Sequence, residues 1–267
     1  MHTGSSEGWH SGEKPPYGIS QRRSTVKHDE LKVQDEVSSY YEEVRYQRTY
    51  SRLYHRWWIE KMFSLLGGEG LVLDNGCGTG ILSEMVQGKK IVGMDYSQGM
   101  LDRARKRLKD CIRGDSESLP FREKSFDAVF ARSLLHHLPR PEQGIAEMAR
   151  VLKDGGRFVI ADTHKSMVSL LPRSIAKKGK HFSSEHKDLS LSELRTRLEE
   201  KFEIESLCYF GYIAYPLLGF PDLVDFFHYL PFRITIARWL IRLDGWISKI
   251  PLVNRLSWGV MIAGRKR

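Results

Sequence analysis

The chain has 267 residues, 41% hydrophobic and 28% charged, which suits one large α/β domain with an elaboration and not a fibrous or low-complexity protein. Its net charge of +9 raises the prior for acidic partners, but the charge alternates with acids, as in "LDRARKRLKD", so solvated helix faces account for most of it. Three scattered cysteines without a CxxC pair argue against a disulfide framework or zinc site, and no apolar run reaches the roughly 18 residues of a membrane span, so a cytoplasmic protein without a metal is expected.

Residues 1–30 are rich in Gly, Ser, His, Pro and charge, show no periodicity, and predict a disordered tail. Over 31–66 the pattern turns helical. Tyr46, Tyr50 and Tyr54 recur at every fourth position and share one helix face. This N-terminal cap is expected to pack Trp57 and Phe63 on the core, while some tyrosines, with their polar tips, line a pocket.

From Gly70 short apolar runs alternate with amphipathic stretches. The runs are 71–75, 90–95, 111–115, 126–131 and 157–162; "ILSEMVQ", "MLDRARKRLKD" and "PEQGIAEMARVL" lie between them. Strand and helix at this spacing make βαβ units, hence a doubly wound, mostly parallel sheet with helices on both faces. "KDGG" at 153–156 reads as a helix cap and turn. Beyond it come a helix at 189–202 with a Ser190/Glu193 capping box, a strand at 203–213 and a last strand at 256–267. The expected plan is thus an α/β Rossmann-like core over 67–208, completed by 256–267 into seven strands, with a helical insertion at 209–255.

The glycine loop "VLDNGCGTG" (72–80) joins the first strand to a helix starting near Ile81. Gly76 permits the turn, Gly78 lets a ligand approach the backbone, and Gly80 allows the helix to pack close. Asp95 ends the second strand, twenty-one residues after Asp74, where a carboxylate can accept both hydrogen bonds of a ribose diol. Asp74 would repel a dinucleotide's pyrophosphate and welcome an ammonium or sulfonium, which weakens a nicotinamide-dependent reading. Asp115 and Ser116 follow the third strand and suit the edge of an adenine. Ribose, adenine and a zwitterionic tail together describe S-adenosylmethionine (SAM).

These runs, with "VGMDYSQGML", "GDSESLPFREKSFDAVFARSLLHHL" and "EMARVLKDGGRFVIAD", closely resemble the class I SAM-dependent methyltransferases. The likeness is greatest to the subgroup holding the ubiquinone/menaquinone C-methyltransferases and many small-molecule enzymes, and it covers about residues 70–165. It implies that Asp74, Gly76, Cys77 and Gly78 surround the methionine moiety, that Asp95 holds the ribose, and that Tyr96 and Met100 flank the adenine. It further implies that Asp115 and Ser116 meet the adenine edge and that Arg132 contacts the cofactor, with S-adenosylhomocysteine (SAH) as product. Asn75 departs from the small or apolar residue expected and hints at an extra hydrogen bond under the loop. Cys77 contributes as a small loop residue, not as a thiol, and Gly88, Gly93 and Gly99 read as ordinary turn or strand-end glycines.

Methyl transfer from a sulfonium is an in-line displacement that needs alignment and dryness, and a base only for a protonated acceptor. His136 of "LLHHL" is the candidate base; the alternative is a loop histidine that caps or packs. In the insertion, Arg238, Arg242 and Lys249 fall near one helix face, with Trp239, Leu243, Trp246 and Ile250 on or near the opposite side. A helix of this kind over 231–250 reads equally as a peripheral membrane element or as a lid or dimer face, and both point to a hydrophobic or amphiphilic acceptor: a quinone, isoprenoid or lipid precursor. The rival readings are nucleic-acid methylation, for which no Asn/Asp-Pro-Pro-aromatic run is present, and a non-catalytic SAM-binding protein.

Overall fold

The computed structural model describes residues 42, 45–67, 70–86, 88–163, 190–219, 225–251 and 253–267. The tail expected at 1–30 and the start of the cap lie outside the described residues.

Seven strands form one sheet: β1 (Leu71–Asn75), β2 (Lys90–Asp95), β3 (Asp110–Arg113), β4 (Phe126–Arg132), β5 (Leu152–Thr163), β6 (Phe202–Phe210) and β7 (Gly259–Lys266). Their order is β3-β2-β1-β4-β5-β7-β6. The strands β1 to β5 pair in parallel, and β7 runs antiparallel to both its neighbours. The expected doubly wound sheet is therefore present. Its winding reverses at β1, which lies between β2 and β4, and in such sheets the crevice at the strands' carboxyl ends opens there.

Helix α1 (Thr49–Leu66) lies on one face of the sheet and buries Tyr50, Tyr54, Trp58, Ile59, Met62 and Leu66 at helical spacing. Phe63 stacks on Phe130 of β4 with ring centroids 5.3 Å apart, and Trp58 meets Phe210 of β6 at 4.5 Å. The expected aromatic cap face is thus real. On the same side lie α2 (Ile81–Met85) and α3 (Gln98–Ala104), while α4 (Pro141–Val151) and α5 (Leu191–Glu199) cover the other. The capping box forms as read: Ser190 Oγ accepts from the Glu193 N–H while the Glu193 carboxylate takes the Ser190 N–H.

Several expected boundaries move. The third strand stops at Arg113, and Asp115 instead forms an isolated bridge with Ser118. "KDGG" is drawn into a long β5, whose pairing with β4 shifts register between Phe126 and Ala128 around it. The strand expected to reach residue 213 ends at Phe210, and the last strand begins at Gly259, after a short 3-10 turn over Val253–Leu256.

The insertion leaves β6 at Phe210 and rejoins β7 at Gly259, which are paired in register. Its main element is α6 (Arg233–Ile247), which buries Ala237, Ile241 and Asp244. The Asp244 carboxylate accepts the backbone N–H groups of Tyr212 (3.0 Å), Ile213 (2.8 Å) and Ala214 (3.2 Å). That anchor fixes the helix's rotation and corrects the expected arrangement: Trp239 and Trp246 point away from the body, opposite the Ala237–Ile241–Asp244 stripe, and lie beside Arg242, not across from it.

Candidate active site

The glycine loop is held to β2 by its own backbone. The N–H groups of Gly76 and Cys77 both donate to the Met94 carbonyl, at 2.8 and 2.9 Å. Asp95 completes the tether: Oδ2 accepts the Gly78 N–H at 2.8 Å and Oδ1 accepts the Ser97 N–H at 2.9 Å. One carboxylate therefore links the first loop to the turn opening α3, where Ser97 Oγ caps the Met100 N–H. A carboxylate has about four acceptor positions, so these bonds are compatible with a diol at the same group.

Gly78 has φ +53°, and a Cβ built on it would meet no atom within 4 Å. Its neighbours are crowded: a Cβ on Gly76 would lie 3.0 Å from Leu134, and one on Gly80 would lie 3.1 Å from Ala104 Cα. Of the loop's three glycines, Gly78 is thus the one that faces open space, as a nucleoside-binding cradle requires. Gly80 serves the approach of α3 more than that of its own helix to the strand. Gly93, read as ordinary, is also constrained, because its Cβ would strike Leu108 Cδ1 at 2.7 Å and Cys77 Sγ at 3.0 Å. Gly88, with φ +79° and nothing within 4 Å, is the plain turn glycine expected.

Asp74, one residue before the end of β1, lies beneath this cradle and is buried. Burial, reinforced by Asp95 and opposed by Arg132, lifts its pKa to about 7. Arg132, at the end of β4, donates from Nη2 to Tyr46 Oη at 2.8 Å and lies over the Trp58 ring, 5.5 Å from its centroid. The cap thereby positions a cation that acts on Asp74. Arg107, beyond α3, fastens the cap to the loop: it bonds the Glu42 carboxylate and donates to the Thr79 carbonyl at 3.2 Å.

Asn75 supplies the hydrogen bond its sequence position hinted at, since Ser116 Oγ donates to its Oδ1 at 2.8 Å. This also turns the Ser116 hydroxyl inward, away from the solvent side where an adenine edge was expected. Asn75 Nδ2 is buried with no partner among the described residues. Cys77 is buried, and burial, with Asp74 and Asp95 nearby, pushes its thiol far above the ordinary range, so it is no nucleophile. Tyr96 is exposed and Met100 buried beside the same crevice.

His136 sits in a 3-10 turn, Leu135–His137, directly after β4. Its Nδ1 bonds Asp162 at the end of β5, and Asp162 also accepts the N–H groups of Leu135 (2.9 Å), His136 (3.3 Å) and Thr163 (2.8 Å). Burial acts to raise the Asp162 pKa, but the His136 side chain and the Thr163 N–H outweigh it, with His137 adding to them, and hold the carboxylate below its ordinary value. Sequence reasoning did not single out Asp162, Tyr46 as the partner of Arg132, or Asp244. The signal for Asp162 was available: it is an acid at the carboxyl end of a central strand.

Asp74, Gly78, Asp95, Ser116, Arg132 and His136 thus gather along the carboxyl ends of β1, β2, β3 and β4 and the segments that follow them. The residues present fit a cationic nucleoside: an acid pair, an open glycine and one orphaned amide. Among the described residues no group of three or more His, Cys, Asp or Glu side chains could hold a metal.

Residues 73–160 match the family model described as "Methyltransferase domain". Demethylmenaquinone methyltransferase of Renibacterium salmoninarum is 42% identical over 95 residues, 34% of this chain and 40% of that protein. Its counterpart in Clavibacter sepedonicus is 38% identical over 109 residues, 38% of this chain and 44% of that protein. The chain thus spans less than half the length of these relatives. A SAM-dependent methyltransferase from Thermotoga maritima superposes with a TM-score of 0.60 at 20% identity, covering 89% of this chain and 100% of that one. Geranyl diphosphate C-methyltransferase from Streptomyces coelicolor, solved with SAH, gives 0.57 at 17% identity, over 80% and 79% of the two chains. Residues 73–160 are thus similar to methyltransferase domains, and the strand order of the sheet that holds them is that of a doubly wound α/β fold.

Proposed function

We propose that this chain transfers the methyl group of SAM to a small hydrophobic or amphiphilic acceptor of the quinone, isoprenoid or lipid-like class. The observation that carries the reading is the pairing of buried Asp74 with Asp95 around the open face of Gly78. Asp95 is assigned to the ribose diol and Asp74 to the cationic methionine end. Arg132 takes the carboxylate of that end, and Tyr96 and Met100 flank the adenine. The Ser116 hydroxyl is engaged with Asn75, so Asp115 is assigned the polar edge of the base.

SAM supplies an electrophilic methyl on a sulfonium; the protein orients, desolvates and, where the acceptor needs it, removes a proton. Asp162, held ionised, takes the Nδ1–H of His136 and leaves Nε2 as the basic nitrogen, which is the arrangement of an oriented general base. The acceptor class is supported by the aromatic cap and insertion beside Arg132, and by the relatives and neighbours named for demethylmenaquinone and geranyl diphosphate.

Calorimetric titration with SAM and SAH on the native chain and on Asp95→Ala tests the cofactor site. Binding by the native chain and its severe loss in the variant support it, and would be followed by a radiolabelled methyl screen over quinones, prenyl compounds and lipid precursors. No binding of either compound at millimolar concentration would refute the reading.

A further inference from the structure

Helix α6 carries an outward face that the proposed transfer reaction does not use. Phe232, Trp239 and Trp246 follow one another at seven-residue spacing and are 83%, 67% and 63% exposed, and Tyr229 beside them is 81% exposed. Seven residues are about two helical turns, so the two tryptophans share one stripe. Rings of this size are rarely left in water without a partner. Along the edge of that stripe stand Arg238, Arg242 and Lys249, all exposed, and no described carboxylate pairs with any of them. The opposite stripe is locked to the body by Ala237, Ile241 and the three hydrogen bonds of Asp244, so the aromatic face cannot roll inward without breaking them.

We infer that this face docks on an anionic lipid surface, with α6 lying flat at the headgroups, the aromatic stripe in the interface and the three cations on lipid phosphates. Charge decides among occupants. An isologous second copy would bring the same unpaired cations against one another, whereas an anionic leaflet neutralises all three and accommodates amphipathic rings. The geometry is that of lying on a membrane: no helix among the described residues is long and apolar enough to cross one.

The test is sedimentation of the whole chain with vesicles of phosphatidylcholine alone or mixed equally with phosphatidylglycerol, with sedimentation velocity of the protein by itself. The expected result is binding to the mixed vesicles only, weakened by salt. Each cation should contribute about fivefold, so Arg238→Gln/Arg242→Gln should weaken binding roughly twenty- to thirtyfold. Trp239→Ser/Trp246→Ser should lower the bound fraction and remove the blue shift of tryptophan emission on lipid. Because all four positions are exposed, SAH titration and thermal melting of the variants should match the native chain, which separates this result from any failure of the cofactor reading. Equal binding to neutral vesicles, unchanged binding by both double variants, or a dimer that the tryptophan variant dissolves would each overturn the proposal.

Discussion

Asp74 is the group whose ionisation most sharply tests the electrostatics of the site. It is buried, and its pKa stands at about 7 where an ordinary aspartate has 3.8, because burial penalises the charge more than Arg132 relieves it. A folded-state pKa above the unfolded one means that the native state holds more protons between those values. The stability Asp74 contributes is therefore fully present below about pH 4 and is lost as pH rises through 7. At roughly 1.4 kcal/mol per unit, the shift bounds the loss at about 4 kcal/mol. Asp74→Asn removes the titration while keeping the shape. At pH 8 the variant should melt higher than the ligand-free native chain, below about pH 4 the two should nearly coincide, and a gain of about 1–3 kcal/mol would move the midpoint by roughly 3–10 °C. Scanning calorimetry from about pH 4 to about pH 8 reads the difference directly. The native chain should also bind SAM more tightly as pH rises through 7, since ionised Asp74 is the form that complements a sulfonium, whereas Asp74→Asn should show no such rise. Parallel pH dependence of the two proteins, or a native chain that gains stability relative to the variant as pH rises, would refute the argument.

Three further outcomes follow from close contacts. Gly93→Ala should cost about 1–3 kcal/mol in urea unfolding, because its methyl would meet Leu108 and the Cys77 sulfur, and Cys77→Ala in the same chain should restore part of the loss. Asp244→Ala leaves three N–H groups without their acceptor and should cost about 2–4 kcal/mol, with Asp244→Asn milder since its amide oxygen still accepts; thermal melts give both values. His136→Ala should abolish the acidic limb of the pH–rate profile for a protonated acceptor while SAH affinity holds. Asp162→Asn should lower kcat alongside it and remove stability that the native chain loses only as pH falls through the depressed Asp162 pKa.

The central sheet was readable because β1 to β5 alternate with amphipathic helices and because each turn carries its own punctuation. Strand ends were less readable: whether Asp115 continues β3 depends on a bridge to Ser118, which no local pattern announces. Asn75 shows what residue type alone can reveal, since an amide beneath a glycine loop called for a partner and found Ser116. The same bond shows what it cannot, because it decided that the Ser116 hydroxyl turns inward. The phase of α6 was misread for a physical reason. Amphipathic reading places polar groups outward, but Asp244 is drawn in by three backbone donors after β6, and the tryptophans are carried outward as a consequence. His136 was found from its place after β4, while its pairing with Asp162 became visible only when β5 brought that acid across.

The position of β7 has a bearing on the order in which the molecule assembles. Among the described strands β6 pairs with β7 alone, and β7 is made after the whole excursion that carries α6. During synthesis the parallel half, β1 to β5 with the glycine loop, can close first from contacts near in sequence. The strand β6 then waits on the ribosome for a neighbour that does not yet exist. The bonds from Asp244 to residues 212–214 span only some thirty positions, so α6 can clasp the end of β6 before the sheet receives it. A released chain truncated just ahead of Gly259 would on this view hold an ordered parallel half beside an undocked β6–α6 pair, and supplying the eight residues of β7 would join the two in a single zippering step.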